Sequence, residues 1–206
     1  MILYFVIVAL VAYLLGSIPT AVWVGKSFHG IDVREHGSKN AGATNTFRVL
    51  GKKAGIIVLS IDVVKGVIAV ILPKIFLSFD TDTIIQMQLI AGFFVFFGHV
   101  FPVFAGFRGG KGVATSLGII FGIHPEAAGV CLAIFLITFI SSNFVSLGAI
   151  VASFCFPFIV CFVFKEESIY LIVFSVVIGA TVILTHRKNI LRLVQGQENK
   201  MNLFKR

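Results

Sequence analysis

The sequence predicts an all-α integral membrane protein: a single bundle of seven transmembrane helices, some short, with its N-terminus outside and its C-terminus cytoplasmic. Three observations lead there. Apolar runs recur near the bilayer-spanning length, the composition lies far from that of soluble proteins, and basic residues gather in three segments. Of 206 residues, 58% are apolar and 23 are Phe. The mean hydropathy is +1.03, and a helix needs about 20 apolar residues to cross a bilayer.

The first run, 2–24, has no basic stretch ahead of it and no small-residue cleavage site behind it, and it is longer than a signal-peptide core. It reads as a retained helix that Pro19 kinks or ends. The second run, 54–77, carries Asp62 and Lys65 three apart, close enough to pair, and an internal salt bridge that fixes helix packing is their expected use. The third, 84–104, holds His99 near its end with Gly98 and Pro102. His99 is read as shaping the loop that follows, with substrate contact as the alternative. The fourth, 112–123, has twelve residues, about 18 Å at about 1.5 Å per residue against a hydrocarbon core of about 30 Å. It must be short or partly re-entrant, and the fifth, 126–140, sits at the same margin. Runs 144–164 and 168–185 complete the bundle. Cys131, Cys155 and Cys161 lie inside these runs without CxxC spacing and are read as packing. No linker, repeat or low-complexity stretch interrupts the chain, so residues 1–206 are expected to form one membrane-embedded domain.

Charge orients the bundle. Residues 25–53, residues 105–111 and the tail from Arg187 to Arg206 together hold fourteen of the seventeen Lys and Arg, whereas the remaining connections are net acidic. Basic loops stay in the cytoplasm, and seven spans with the N-terminus outside put all three basic segments there.

A topology signal needs only Lys and Arg, but these cations keep other company. The first loop interleaves Lys39 and Arg48 with Ser38, Asn40, Thr44 and Asn45. Neutral donors and small residues suit a phosphate or polyol site. Gly106-Phe107-Arg108-Gly109-Gly110-Lys111-Gly112 is dense in glycine with two cations, so backbone N–H groups, Arg108 and Lys111 are expected to meet an anion. Lys111 is a point charge able to sit between two phosphates, and Arg108 offers a planar fork. In the tail His186, Asn189 and Arg192 recur at i, i+3 and i+6, close enough to share a helix face.

One chemistry is disfavoured and another excluded. Glycerolipid acyltransferases of the His-x4-Asp type need Asp five positions after His; here those positions hold Arg34, Ala41, Phe104, Gly129 and Leu191. A Walker A loop needs Gly where Ala105 stands and Ser or Thr where Gly112 stands. A transporter of a small organophosphate or phosphate is the alternative reading, weakened by charges clustered on one side and by the lack of an internal repeat. A lipid-binding scaffold would not need the Asn, Thr and Gly pattern.

Together the segments Ser38 to Arg48, Gly106 to Thr115 and His186 to Asn199 resemble the three cytoplasmic motifs of the PlsY family of membrane glycerol-3-phosphate acyltransferases, and the resemblance runs over essentially the whole chain. It implies acyl transfer from acyl phosphate to glycerol 3-phosphate, giving 1-acyl-glycerol-3-phosphate in the first step of bacterial phospholipid synthesis. The active site would face the cytoplasm from the inner membrane. No cofactor, metal or nucleic acid is expected. Lys111, Ser38 and Arg48 are the candidate catalytic residues. Asn40, Thr44, Asn45, Arg108, Gly109, Gly110, Gly112, His186, Asn189 and Arg192 are candidate substrate ligands, with Arg48, His186 and Asn189 implied for glycerol phosphate. Which phosphate meets which cluster stays open. A covalent role for Ser38 is weak, because no base lies beside it in sequence.

Overall fold

The computed structural model describes residues 1–201. Lys205 and Arg206, which the charge pattern includes, lie outside the described residues. Helices make up the described fold and no strand occurs among those residues. Five helical stretches are long and apolar enough to cross a membrane: Ile2–His29, Lys52–Phe76, Thr81–Ala105, Pro125–Ser142 and Val145–Val163. A sixth results if the helices Ile169–Thr185 and Arg187–Val194, bent by 60°, count as one span. The chain divides into two compact units, Met1–Ile123 and the residues from His124 onward.

In the first unit the initial apolar run is two helices, α1 (Ile2–Gly16) and α2 (Thr20–His29), broken at Ser17, Ile18 and Pro19. Proline lacks an N–H and cannot continue a helical ladder. The carbonyls of Gly16 and Ile18 accept hydrogen bonds from Lys65 Nζ at 3.2 and 3.1 Å, the Ile18 carbonyl also accepting the Thr20 N–H at 3.0 Å. Lys65 sits in α4 (Lys52–Phe76), which follows the short helix α3 (Ala43–Leu50). The expected pairing inside α4 is present, with Lys65 Nζ 2.8 Å from Asp62 Oδ1 and both side chains buried. Next come α5 (Thr81–Val100) and α6 (Val113–Ile123). α1 packs closely on α5 because Gly16 faces the Val95 carbonyl and Gly98 the Tyr13 carbonyl. α4 meets α6 in the same way, with Gly66 against the Thr115 carbonyl and Gly118 against that of Val63. Small residues let backbones approach where lipid supplies no hydrophobic drive between helices. Ala21, Val24, Val33, Ala54 and Val58 form a buried cluster that anchors α2 and the first loop onto α4.

In the second unit α7 (Pro125–Ser142) starts with proline at its first turn, where a missing N–H costs nothing. At eighteen residues it is a full candidate span, so the marginal length read for run 126–140 is corrected. Pro125 at one end and Ser141 and Ser142 at the other extend the helix beyond the apolar stretch, and His124 caps it, its Nδ1 accepting the Ala127 N–H at 3.3 Å. α8 (Val145–Phe158) contains Pro157 and runs into a π-helical turn, Ile159–Val163. α9 (Ile169–Thr185) turns at His186 into α10 (Arg187–Val194).

Candidate active site

The first basic loop is built around Asn45. It is 1% exposed. Its amide donates to the carbonyls of Val33 and His36 at 2.7 and 3.1 Å, and its oxygen accepts the Ser38 N–H at 2.8 Å. Asn45 therefore spends both donors and one acceptor position on the loop backbone and thereby fixes where Ser38 stands. Gly37, at φ +58°, approaches the Asn45 side-chain oxygen so closely that no Cβ would fit. Lys39 also holds a left-handed φ of +58°, an uncommon conformation for a residue with a side chain. Asn40 and Thr44 are half-buried and Arg48 is exposed on α3.

The glycine loop docks on the end of α5. The Gly109 N–H donates to the Val100 carbonyl and the Gly110 N–H to the His99 carbonyl, both at 3.2 Å. A Cβ on Gly109 would collide with the His99 carbonyl, and one on Gly110 with the His99 ring. The expectation that these two N–H groups meet an anion is thus corrected: they are consumed in holding the loop, and glycine is required there for close backbone approach. Gly112, at φ +81°, leads directly into α6, and a side chain on it would strike Phe96. The N–H groups of the first turn of α6 have no acceptor within the helix, and Lys111 stands immediately before that turn.

The two loops are tied together by a residue that the sequence reading passed over. Arg34 Nη1 donates to the Ala105 carbonyl at 2.7 Å and to that of Arg108 at 3.5 Å. Its other edge is bidentate on Asp32, Nη2 to Oδ2 at 2.7 Å and Nε to Oδ1 at 3.0 Å, and Asp32 also accepts the Arg34 backbone N–H at 3.0 Å. Lys26 lies 3.4 Å from the same carboxylate. Hydrogen bonding to Arg34 holds the Asp32 carboxyl well below the usual carboxylate range, against the upward push of burial. The Asp-x-Arg spacing was the available signal. Where a Cβ on Gly110 would stand, the Ala41 carbonyl is 3.0 Å away, so the second contact between the loops is backbone against backbone.

In the second unit His186 is buried at the bend between α9 and α10, its Nδ1 2.8 Å from the Val182 carbonyl. A carbonyl only accepts, so Nδ1 carries a proton. Asn189 and Arg192 both bond Glu198, Nδ2 to Oε1 at 2.6 Å and Nε to Oε2 at 2.8 Å. Ser146 Oγ donates to the same Oε1 at 2.9 Å. Burial pushes the Glu198 carboxyl upward, but the bonds from Arg192, Asn189 and Ser146 outweigh it and bring it below the usual value. Glu198 is the second residue missed, a carboxylate hidden inside a basic tail.

A family model described as glycerol-3-phosphate acyltransferase matches residues 6–196. The chain belongs to the glycerol-3-phosphate acyltransferase family. Similar proteins of that description include one from Chlorobaculum tepidum, 41% identical over 97% of each chain. Another, from Fusobacterium nucleatum, is 43% identical over 91% of this chain and 93% of the relative. Crystal structures of PlsY (YgiH), an integral membrane glycerol 3-phosphate acyltransferase, superpose with TM-scores of 0.86 for its glycerol 3-phosphate form and 0.83 for its lysophosphatidic acid form, each 36% identical. They cover 98% and 96% of this chain, and 99% and 95% of their own. As a glycerol-3-phosphate acyltransferase family member, the chain is an integral membrane acyltransferase that serves phospholipid synthesis.

Proposed function

We propose that residues 1–206 act as one acyltransferase domain that moves a fatty acyl group from acyl phosphate to glycerol 3-phosphate, releasing 1-acyl-glycerol-3-phosphate and inorganic phosphate. The observation that carries this reading is the Arg34 bridge, which joins the loop bearing Ser38 and Asn40, just ahead of Arg48 on α3, to the loop bearing Arg108 and Lys111. The bridge ties the backbone of one cation-bearing loop to the other, and cations together with neutral donors are what two phosphorylated substrates require. Seven passes, counting α6 as a short one, with the N-terminus outside would set these loops on the cytoplasmic face of the bacterial inner membrane.

Acyl phosphate is a mixed anhydride, so its leaving group is already good and the protein has chiefly to position the alcohol and stabilise charge. The glycerol hydroxyl oxygen attacks the acyl carbon, the new ester C–O bond forms, and the C–O bond to phosphate breaks. A phosphate oxygen of the substrates takes the hydroxyl proton, because a phosphate monoester titrates near pH 6. Lys111 neutralises the departing phosphate, with Arg108 beside it and Gly109, Gly110 and Gly112 setting the loop. Ser38, Asn40 and Thr44 supply neutral donors, and Asn45 serves by holding Ser38. Arg48, His186 and Asn189 are assigned to glycerol 3-phosphate on the family pattern, and Arg192 is a further substrate ligand. Donation to a phosphate from His186 Nε2 needs the protonated ring, whereas the neutral ring suits a glycerol hydroxyl.

The experiment is steady-state kinetics of Lys111→Ala and Lys111→Arg in purified protein. Lys111→Ala should lose about a hundredfold or more in rate while still folding, and Lys111→Arg should recover little of it. A near-wild-type rate for Lys111→Ala would return the glycine loop to a structural role.

A further inference from the structure

Ionisable groups inside a membrane span are functional candidates by default, and one buried cluster here is not used by the reaction as described above. Asp62 on α4 is 1% exposed, Lys65 4%, and His99 on α5 7%. Three groups converge on Asp62 Oδ1: Lys65 Nζ at 2.8 Å, Thr20 Oγ1, which donates at 3.0 Å, and His99 Nδ1 at 3.7 Å. Lys65 continues to the carbonyls of Gly16 and Ile18. The cluster therefore links α1, α2, α4 and α5.

Helix packing alone accounts for Asp62, Lys65 and Thr20, but not for what lies on the other side of the histidine. The second ring nitrogen, Nε2, faces Gly110 so closely that a Cβ there would overlap it. The His99 carbonyl accepts the Gly110 N–H and the neighbouring Val100 carbonyl accepts the Gly109 N–H. One residue thus supports the glycine loop through its backbone and its ring, with Lys111 as the next residue in the chain.

We infer that Asp62 and His99 form a buried positioning pair: the Asp62 carboxylate, 3.7 Å from Nδ1 and beyond hydrogen-bond reach, orients the His99 ring electrostatically, and the Nε2 edge of that ring sets the orientation of Gly110 and so of Lys111 toward phosphate. Neither residue touches substrate. The inference rests on the reading of the glycine loop as a phosphate site. A misplacement of about 1 Å at a reacting group costs roughly a hundredfold, so a pair of this kind acts on turnover more than on folding. Lys65 and Thr20 hold the carboxylate, and the break between α1 and α2 is what brings Thr20 and the Gly16 and Ile18 carbonyls to the cluster.

The test exploits the two nitrogens. Glutamine places its terminal amide near the position of Nε2, and asparagine near that of Nδ1. Full-length His99→Gln, His99→Asn and Asp62→Asn are purified in detergent, their melting temperatures measured with and without inorganic phosphate, and kcat and KM determined with both substrates. His99→Gln should keep at least about a tenth of kcat and the phosphate-induced rise in melting temperature. His99→Asn should lose about a hundredfold in kcat, with a smaller change in KM, and lose most of the phosphate effect. Asp62→Asn, nearly isosteric, should fold and fall between them. Equal losses for the two His99 variants, better retention in His99→Asn, or wild-type kcat in all three would overturn the inference. Phosphate stabilisation of the wild-type protein without acyl transfer would instead remove the proposed reaction and leave the positioning pair standing.

Discussion

Asp32 and Arg34 stand two residues apart, yet their pairing decides how two distant loops meet, because Arg34 carries its remaining donors to Ala105 and Arg108. The pH dependence of that pair follows from the direction of the Asp32 shift. Its folded-state pKa is depressed, so the stability it contributes is fully present above the unfolded carboxylate value of about 4 and is lost as pH falls toward the lower folded value. The difference in melting temperature between wild type and Asp32→Asn should stay constant from pH 8 to pH 5 and shrink only below about pH 4. A difference already gone at pH 6 would mean that the carboxylate is not held by the guanidinium. Asn45 makes the complementary point. The sequence presented it as one more neutral donor beside Ser38, and nothing local announced that its side chain is committed to Val33, His36 and Ser38.

Among the elements, the glycine loop separates two reasons for having glycine. Gly106 has φ +62° with open space where a Cβ would go, whereas Gly112 has φ +81° and faces Phe96. Gly106→Ala should cost about 1 kcal/mol of conformational strain and little activity. Gly112→Ala adds a collision at the entry to α6 and should lower the rate at least about tenfold, since it displaces the turn that carries Lys111. Equal behaviour of the two variants in activity and melting measurements would remove that distinction. Run length made the spans legible, because a bilayer demands long apolar stretches whatever the tertiary contacts. The break at Ser17 to Pro19 was half legible: Pro19 announced an interruption, but its stabilisation by Lys65 requires α4 to be folded beside it. The three polar segments were read as a candidate site because they mix cations with carboxamides, hydroxyls or clustered glycines. Their internal wiring was not, since Arg34 reaches Ala105 across 71 residues of chain and Ser146 reaches Glu198 across 52.

For the whole molecule, the charge distribution gives the orientation prediction. Single cysteines at Ser27, Ala105 and Gln197, in a background lacking Cys131, Cys155 and Cys161, should be shielded from impermeant thiol reagents in intact cells. Cysteines at Thr81 and Glu167, both exposed positions in the fold, should label, and the reverse pattern would contradict the cytoplasmic placement of the loops. The acyl donor is decided by supplying radiolabelled glycerol 3-phosphate to the purified protein with acyl phosphate and with acyl-CoA side by side. Labelled 1-acyl-glycerol-3-phosphate should form from acyl phosphate only, because the loops are proposed to bind phosphate and the sequence carries no motif for an adenine nucleotide; equal product from acyl-CoA, or none from acyl phosphate, would rule out the proposed donor.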